Sequence, residues 1–230
     1  MTARRLGIYA HVPFCLRKCS YCSFVSYPGM PSADAARSYV DAVLSELRMR
    51  AYATPDGYAG WTLYVGGGTP TTLGTELERL VKGAIGIMGD LGWGRPLEAT
   101  VEANPGTISH RSAARIVAAG ADRFSLGVQS MVDSELKAVG RMHSAEDAER
   151  AFDAMRYAGA KSLSIDIIAG LPGQDSSSFA RTLEAVAALS PDHVSCYGLT
   201  LEEGTPLFTS HAEGSIEVPD DDAALIYWIW

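Results

Sequence analysis

Short runs rich in apolar residues, each bounded by turn residues, recur along this chain at 7–12, 61–65, 97–103, 123–128, 163–168 and 193–197. Runs of that length read as buried strands. Between them the apolar positions switch to helical spacing. Tyr39, Val40, Val43, Leu44 and Leu47 share one face of a helix that Ser32 or Asp34 can cap, after the break at Pro28, Gly29, Met30 and Pro31. Leu73, Leu77, Leu80 and Val81 make a second such face, and 113–119 a third, closed by Gly120. Helical spacing runs from about Ser130 to Gly159 with an interruption near 140–143, and returns over 179–189.

Alternating strand and helix units predict an α/β protein, a parallel sheet covered by helices that is either open or curled. The curled form, a partial (β/α)6 barrel, is preferred. In such folds the loops after the strand C-termini build the site, and the unusual residues of this chain fall there: 15–22, 66–69, Glu102, Gln129 and Asp166. The segment 223–230 ends on an Ile-Tyr-Trp-Ile-Trp cluster, which predicts either a docked helix or, preferred here, a missing apolar partner. The expected organisation is a core over 1–210 and the start of a truncated C-terminal region over 211–230.

Composition narrows the class. A content of 47% hydrophobic residues over 230 residues supports one large domain. The net charge of -8, with no long Lys/Arg block to offset it, argues against a general nucleic-acid or anionic-membrane surface. No apolar run approaches the roughly 18 residues of a membrane span, so no transmembrane segment is expected. Arg4 and Arg5 before an apolar stretch imitate a secretory signal, but His11, Pro13 and Cys15 interrupt it and Arg17 and Lys18 follow. Three of the four cysteines lie between 15 and 22, a crowding that suits metal ligation better than disulfides and indicates a reducing compartment, the cytoplasm.

Cys15, Cys19 and Cys22 form a C-x3-C-x2-C loop. Iron-sulfur clusters and structural zinc sites usually take four protein ligands, so three thiolates leave one metal position open to a small molecule. Cys196, on a predicted core strand, reads as a small buried hydrophobe rather than a fourth ligand. The turn at 66–70 has no Lys and lacks phosphate-loop spacing; its glycines either make a tight connection or bring main-chain donors against a polar ligand. Glu102, Gln129 and Asp166 sit at strand ends among apolar neighbours, where each either caps backbone or binds ligand hydroxyls and amines. Arg141 can pair with a ligand carboxylate or lie exposed at a helix end. His11 reads as a hydrogen-bonded strand residue, His143 has no assigned role, and Tyr21, between two cysteines, is expected to face a ligand.

The motif C-x3-C-x2-C is the signature of radical S-adenosylmethionine enzymes, and the surrounding residues are more specific. The stretches 11–15, 66–71, 102–106, 125–130, 140–143, 166–174 and 195–202 resemble, in order, the oxygen-independent coproporphyrinogen III oxidase family, most of all its haem chaperone branch. The resemblance implies a 4Fe-4S cluster on Cys15, Cys19 and Cys22 whose open iron is chelated by S-adenosylmethionine. Reductive cleavage of that molecule would give methionine and a 5'-deoxyadenosyl radical. It further implies that Gly67, Gly68, Thr69 and Arg141 hold the methionine end, Gln129 and Asp166 the ribose, and Tyr21 the adenine edge. Tyr9 and Glu102 fall where the oxidase binds a second S-adenosylmethionine. Haem is the candidate third ligand, with a haem-accepting protein and an electron donor as partners.

Two features depart from the pattern. Ser23 and Phe24 follow the last cysteine where the oxidase has Gly-Cys, which weakens the case for decarboxylating coproporphyrinogen. The sequence also stops before the C-terminal region in which the chaperone branch carries its haem-associated motif. The leading expectation is a haem chaperone that transfers haem to an acceptor. The alternatives are radical chemistry on a porphyrin or other small substrate, coproporphyrinogen oxidation or methyl transfer included, and a truncated cluster-binding module without turnover.

Overall fold

Each apolar run becomes a strand of one parallel sheet, as the computed structural model shows over the residues it describes, 4–54 and 57–219. In chain order the elements are β1 (Arg4–Val12), β2 (Phe14–Cys15), β3 (Tyr27–Pro28), α1 (Ala33–Tyr52), β4 (Tyr58–Gly67), α2 (Thr75–Asp90), β5 (Ala99–Ala103) and α3 (His110–Ala119). There follow β6 (Arg123–Gln129), α4 (Asp133–Ala138), α5 (Ala145–Tyr157), β7 (Ser162–Ala169), α6 (Ser176–Leu189), β8 (His193–Gly198) and α7 (Pro206–Ala212). The order across the sheet is β1-β4-β5-β6-β7-β8, every pair parallel. The sheet curls into a half-barrel, the expected form.

Alternation along the strands gives the barrel two unlike faces. Trp61, Leu63 and Val65, then Val101, Phe124, Leu126, Leu163 and Ile165, point outward and are buried in one core with the helices. Leu77, Leu80, Val81, Ala84 and Met88 of α2 meet them from the other side. The opposite face carries Tyr64, Thr100, Glu102, Arg123, Ser125 and Asp166, which bond to one another across strands. A polar inner face in a parallel sheet marks a lumen rather than a second core.

The helices start where short polar side chains can satisfy their free amides. Ser32 accepts from the Ala35 amide at 3.2 Å to open α1, and reciprocal boxes pair Ser109 with Ser112, Ser144 with Asp147 and Asp175 with Ser178. Gly120 ends α3 at φ 117°, a left-handed conformation that glycine adopts without steric cost.

Some bounds differ from the sequence expectation. β1 and β4 start earlier, because the Arg4 guanidinium lies over the Tyr58 ring at 4.9 Å and bonds its hydroxyl. Gly66 and Gly67, expected in a turn, still belong to β4. The bridge of β2 with β3 has no apolar pattern of its own. Among the described residues no helix is long and apolar enough to cross a membrane. The expected segment 223–230 lies outside the described residues.

Candidate functional site

The C-terminal rim of the barrel is organised by the cysteine loop. The β2–β3 bridge closes it at the base: Tyr27 donates its amide to the Pro13 carbonyl and Gly29 to that of Cys15, both at 2.7 Å. At its crown the Ser20 amide bonds the Val139 carbonyl at 3.1 Å and the Ser20 carbonyl accepts from Leu207 of α7 at 2.9 Å. Cys15 is buried, Cys19 and Cys22 half-buried, and all three are free thiols. Burial raises the Cys22 thiol, opposed by a backbone hydrogen bond from Phe24 and by the Lys18 charge.

The glycine stretch packs directly against this loop. The Gly68 amide donates to Val12 at 2.8 Å and the Thr69 amide to Phe14 at 2.7 Å, while the Thr69 hydroxyl reaches the Cys15 sulfur at 3.7 Å. A Cβ on Gly68 would stand 2.7 Å from the Phe14 carbonyl oxygen and 2.9 Å from the Cys15 sulfur; on Gly67, at φ 113°, it would strike the His11 ring at 2.7 Å. These glycines are close-approach positions. Glu102 holds the same turn: one carboxylate oxygen accepts from the Gly67 amide at 3.0 Å, the other from the Tyr64 hydroxyl at 2.7 Å. Burial raises the Glu102 carboxyl, and these two hydrogen bonds oppose the shift. Tyr9 stacks on Tyr64 with centroids 5.9 Å apart and shares a 3.2 Å hydrogen bond with His11, whose other ring nitrogen bonds the Val25 carbonyl at 2.8 Å.

Across the rim, Arg141 reaches the Cys19 sulfur at 3.6 Å and also donates to the Gly127 carbonyl, while its Nε is buried without a partner among the described residues. Gly140, at φ 75°, turns the chain after α4 so that this guanidinium points inward. Gln129 is one of two non-glycine residues among those described with positive φ, at 71°, and the β6–β7 register shifts beside it. His143 bonds the Val128 carbonyl at 3.0 Å from a buried position; burial, then the Arg141 charge, lower its pKa to about 4. The Ser125 hydroxyl donates to the Asp166 carboxylate, lying 2.9 and 3.1 Å from its two oxygens. Tyr21 turns into a small apolar cluster with Val139, Ile168 and Leu171, and burial raises its hydroxyl.

This donor set fits an iron-sulfur cluster. Soft thiolate ligands suit iron and sulfide, and the Thr69 hydroxyl and the Arg141 guanidinium reach the Cys15 and Cys19 sulfurs. Among the described residues no three His, Cys, Asp or Glu side chains converge on a single ion. A cubane asks each thiolate for a separate iron, so its ligands need not converge.

The model of the radical SAM superfamily matches residues 9–186. The chain belongs to this superfamily. Among relatives of this radical SAM protein, heme chaperone HemW of Escherichia coli is 36% identical over 220 residues, covering 95% of this chain and 56% of that protein. The oxygen-independent coproporphyrinogen III oxidase of Paracoccus denitrificans is 39% identical over 193 residues, covering 84% of this chain and 42% of that protein. The solved structure of coproporphyrinogen III oxidase HemN from Escherichia coli, described as a radical SAM enzyme, superposes with a TM-score of 0.79 at 29% identity, over 98% of this chain and 51% of that one. The chain spans about half the length of the curated relatives it matches.

The structure of this radical SAM protein brings together Cys15, Gly68 and Thr69 on one side and Cys19, Gly127 and Arg141 on the other, with Gln129 against Gly127, and Cys19, Thr69 and Arg141 line one small pocket between them. Tyr9, Glu102 and Asp166 line the lumen below. Sequence reasoning missed Tyr64 and Ser125, the hydroxyl partners of Glu102 and Asp166. The signal was available for Tyr64, which shares the inward face of its strand with Gly66. Cys196, expected to be buried, is half-buried.

Proposed function

We propose that this chain is a cytoplasmic radical SAM protein of the haem chaperone type. It binds a 4Fe-4S cluster, S-adenosylmethionine and haem, takes an electron from a donor protein and passes haem to an acceptor. The observation that carries the site assignment is the Arg141 guanidinium, which spans the Cys19 sulfur and the Gly127 carbonyl beside Gln129. Support for haem comes from relatives named as haem chaperones at 33 to 36% identity. The domain reading goes with it: a core over 1–210 and, from 211, the start of a further region.

In this reading Cys15, Cys19 and Cys22 ligate the cluster as thiolates. Thr69 and Arg141 donate to two of those sulfurs, and Gly67 and Gly68 leave room for main-chain contact with the methionine end. Arg141 offers a guanidinium N–H not used on Cys19 or Gly127 to the methionine carboxylate. Gln129 and Asp166 bind the ribose, Tyr21 lies at the adenine edge, and Tyr9 and Glu102 face a second ligand in the lumen. When bound and reduced, the cluster supplies the electron that cleaves the sulfonium of S-adenosylmethionine. The likeness to the Paracoccus oxidase keeps radical chemistry on a porphyrin as the second reading.

Haem titration tests the proposal. A Soret shift on adding haem to this protein, or to a version extended by the C-terminal region of the Escherichia coli chaperone, is the expected result. Haem bound by neither sinks the chaperone reading and leaves porphyrin or small-substrate chemistry.

A further inference from the structure

Behind the rim lies a buried polar cluster that none of the proposed ligand contacts uses. Glu135, on α4, is only 2% exposed. One of its carboxylate oxygens accepts from the Ser130 hydroxyl at 2.6 Å and from the Gln174 side-chain amide at 2.9 Å. Its other oxygen is buried without a hydrogen-bond partner among the described residues.

Burying a half-satisfied carboxylate is costly, and an apolar residue would pack a short helix at less cost. What the carboxylate adds is a tie between two loops. Ser130 follows Gln129 directly, and its oxygen also accepts from the Val132 amide at 2.9 Å. The neighbouring Met131 amide donates to Thr182 of α6 at 3.2 Å. On the far side, the Gln174 side-chain oxygen accepts from the Gly170 amide at 2.6 Å and its nitrogen reaches the Ile168 carbonyl at 3.3 Å, two residues beyond Asp166. The helix that carries Glu135 also holds Arg141, whose amide donates to the Leu136 carbonyl at 2.9 Å. The left-handed backbone of Gln129 is a conformation that persists only where surrounding bonds over-determine it.

We propose that Glu135 is a positioning residue for the S-adenosylmethionine site, clamping the loop after β6 to the loop after β7 so that Gln129, Arg141 and Asp166 share one geometry. The proposal rests on the reading above that those three side chains contact that molecule.

The test uses the anaerobically reconstituted protein, with S-adenosylmethionine affinity by equilibrium dialysis, iron and sulfide content, and thermal midpoint read together. Glu135→Ala weakens affinity by roughly tenfold or more while iron and sulfide stay at the unsubstituted level, because misplacement rather than loss of a contact is the cause. Glu135→Gln stays within about threefold: its amide oxygen accepts from Ser130 and Gln174, and its NH2 group takes the position that has no partner. Thr182→Val, which frees the Met131 amide and removes the 3.4 Å bond to the Ser130 hydroxyl that Glu135 accepts from, weakens affinity in the same direction and decides the matter if Glu135→Ala does not fold. Leu80→Ala, in the core beneath α2, lowers the midpoint and leaves affinity unchanged. Affinity unaltered in Glu135→Ala or, where that variant does not fold, in Thr182→Val, or lost equally in Glu135→Gln, overturns the clamp and spares the functional reading. If the unsubstituted protein binds no S-adenosylmethionine, both fall.

Discussion

The two ends of the barrel solve the same problem, ending parallel strands, in opposite ways. At the N-terminal end the starts of β5 and β7 are each answered by a carboxylate. Asp122, just before β6, accepts from the Ala99 amide at 2.8 Å, and Asp192, just before β8, accepts from the Leu163 amide at 2.8 Å and from Arg156 at 2.9 Å. These groups are satisfied by the protein itself. At the C-terminal end Ser20, Glu135, Arg141 and His143 each carry a buried side-chain atom without a hydrogen-bond partner among the described residues, against Arg115 and Ser164 elsewhere, and Gly66, Gly67 and Gly68 sit where a Cβ would collide. Unsatisfied, crowded polar groups are what a fold tolerates where it binds something, and satisfied ones are what it uses to hold itself together.

Substitutions at the two ends should therefore separate function from stability. The largest effect is expected at Gly68. Gly68→Ala must displace the Phe14 carbonyl or the Cys15 sulfur, so the reconstituted protein loses most of its cluster and the apo form loses about 1–3 kcal/mol. Iron content and unfolding free energy both equal to the unsubstituted protein would show that the rim is not crowded.

The next effect is a pH dependence. His143 is held neutral in the fold, with a pKa of about 4 against an ordinary value of 6.5. Between those values the unfolded chain binds more protons than the folded one, so this group's contribution is full above about 6.5 and is lost as pH falls towards 4, on the order of 3 kcal/mol. His143→Gln, whose amide can still donate to Val128, removes that part of the slope in urea melts across this window. An unchanged slope would mean that the imidazole already charges in the folded protein.

The smallest effect on ligand binding belongs to the opposite end. Asp192→Ala strands the buried Leu163 amide and takes one of Arg156's partners, and costs about 1–3 kcal/mol, with iron uptake and S-adenosylmethionine affinity unchanged. A change in either binding property would erase the division of labour between the ends.

Much of the architecture was legible because the strands are short apolar-rich runs set between stretches of helical spacing. The odd residues at strand ends, Glu102, Gln129 and Asp166, announced the rim. The cysteine spacing announced the metal. The β2–β3 bridge stayed hidden because it is two backbone pairings without a side-chain pattern. Tyr64 and Ser125 stayed hidden because a hydroxyl on a strand reads as ordinary until its cross-strand neighbour is known. The inward turn of Tyr21 depends on Val139 and Ile168, which lie far along the chain. Long-range pairing of this kind is set by register, which no local window contains.

Anaerobic reconstitution with iron and sulfide, followed by S-adenosylmethionine binding to the purified product, tests the central claim most directly. The account predicts thiolate-bound iron-sulfur absorption that Cys19→Ala abolishes, with the apo stability of that variant changed by less than about 1 kcal/mol, and S-adenosylmethionine bound only by the cluster-loaded form. A protein that takes up zinc but never iron and sulfide, or that binds S-adenosylmethionine equally well without its cluster, would contradict it.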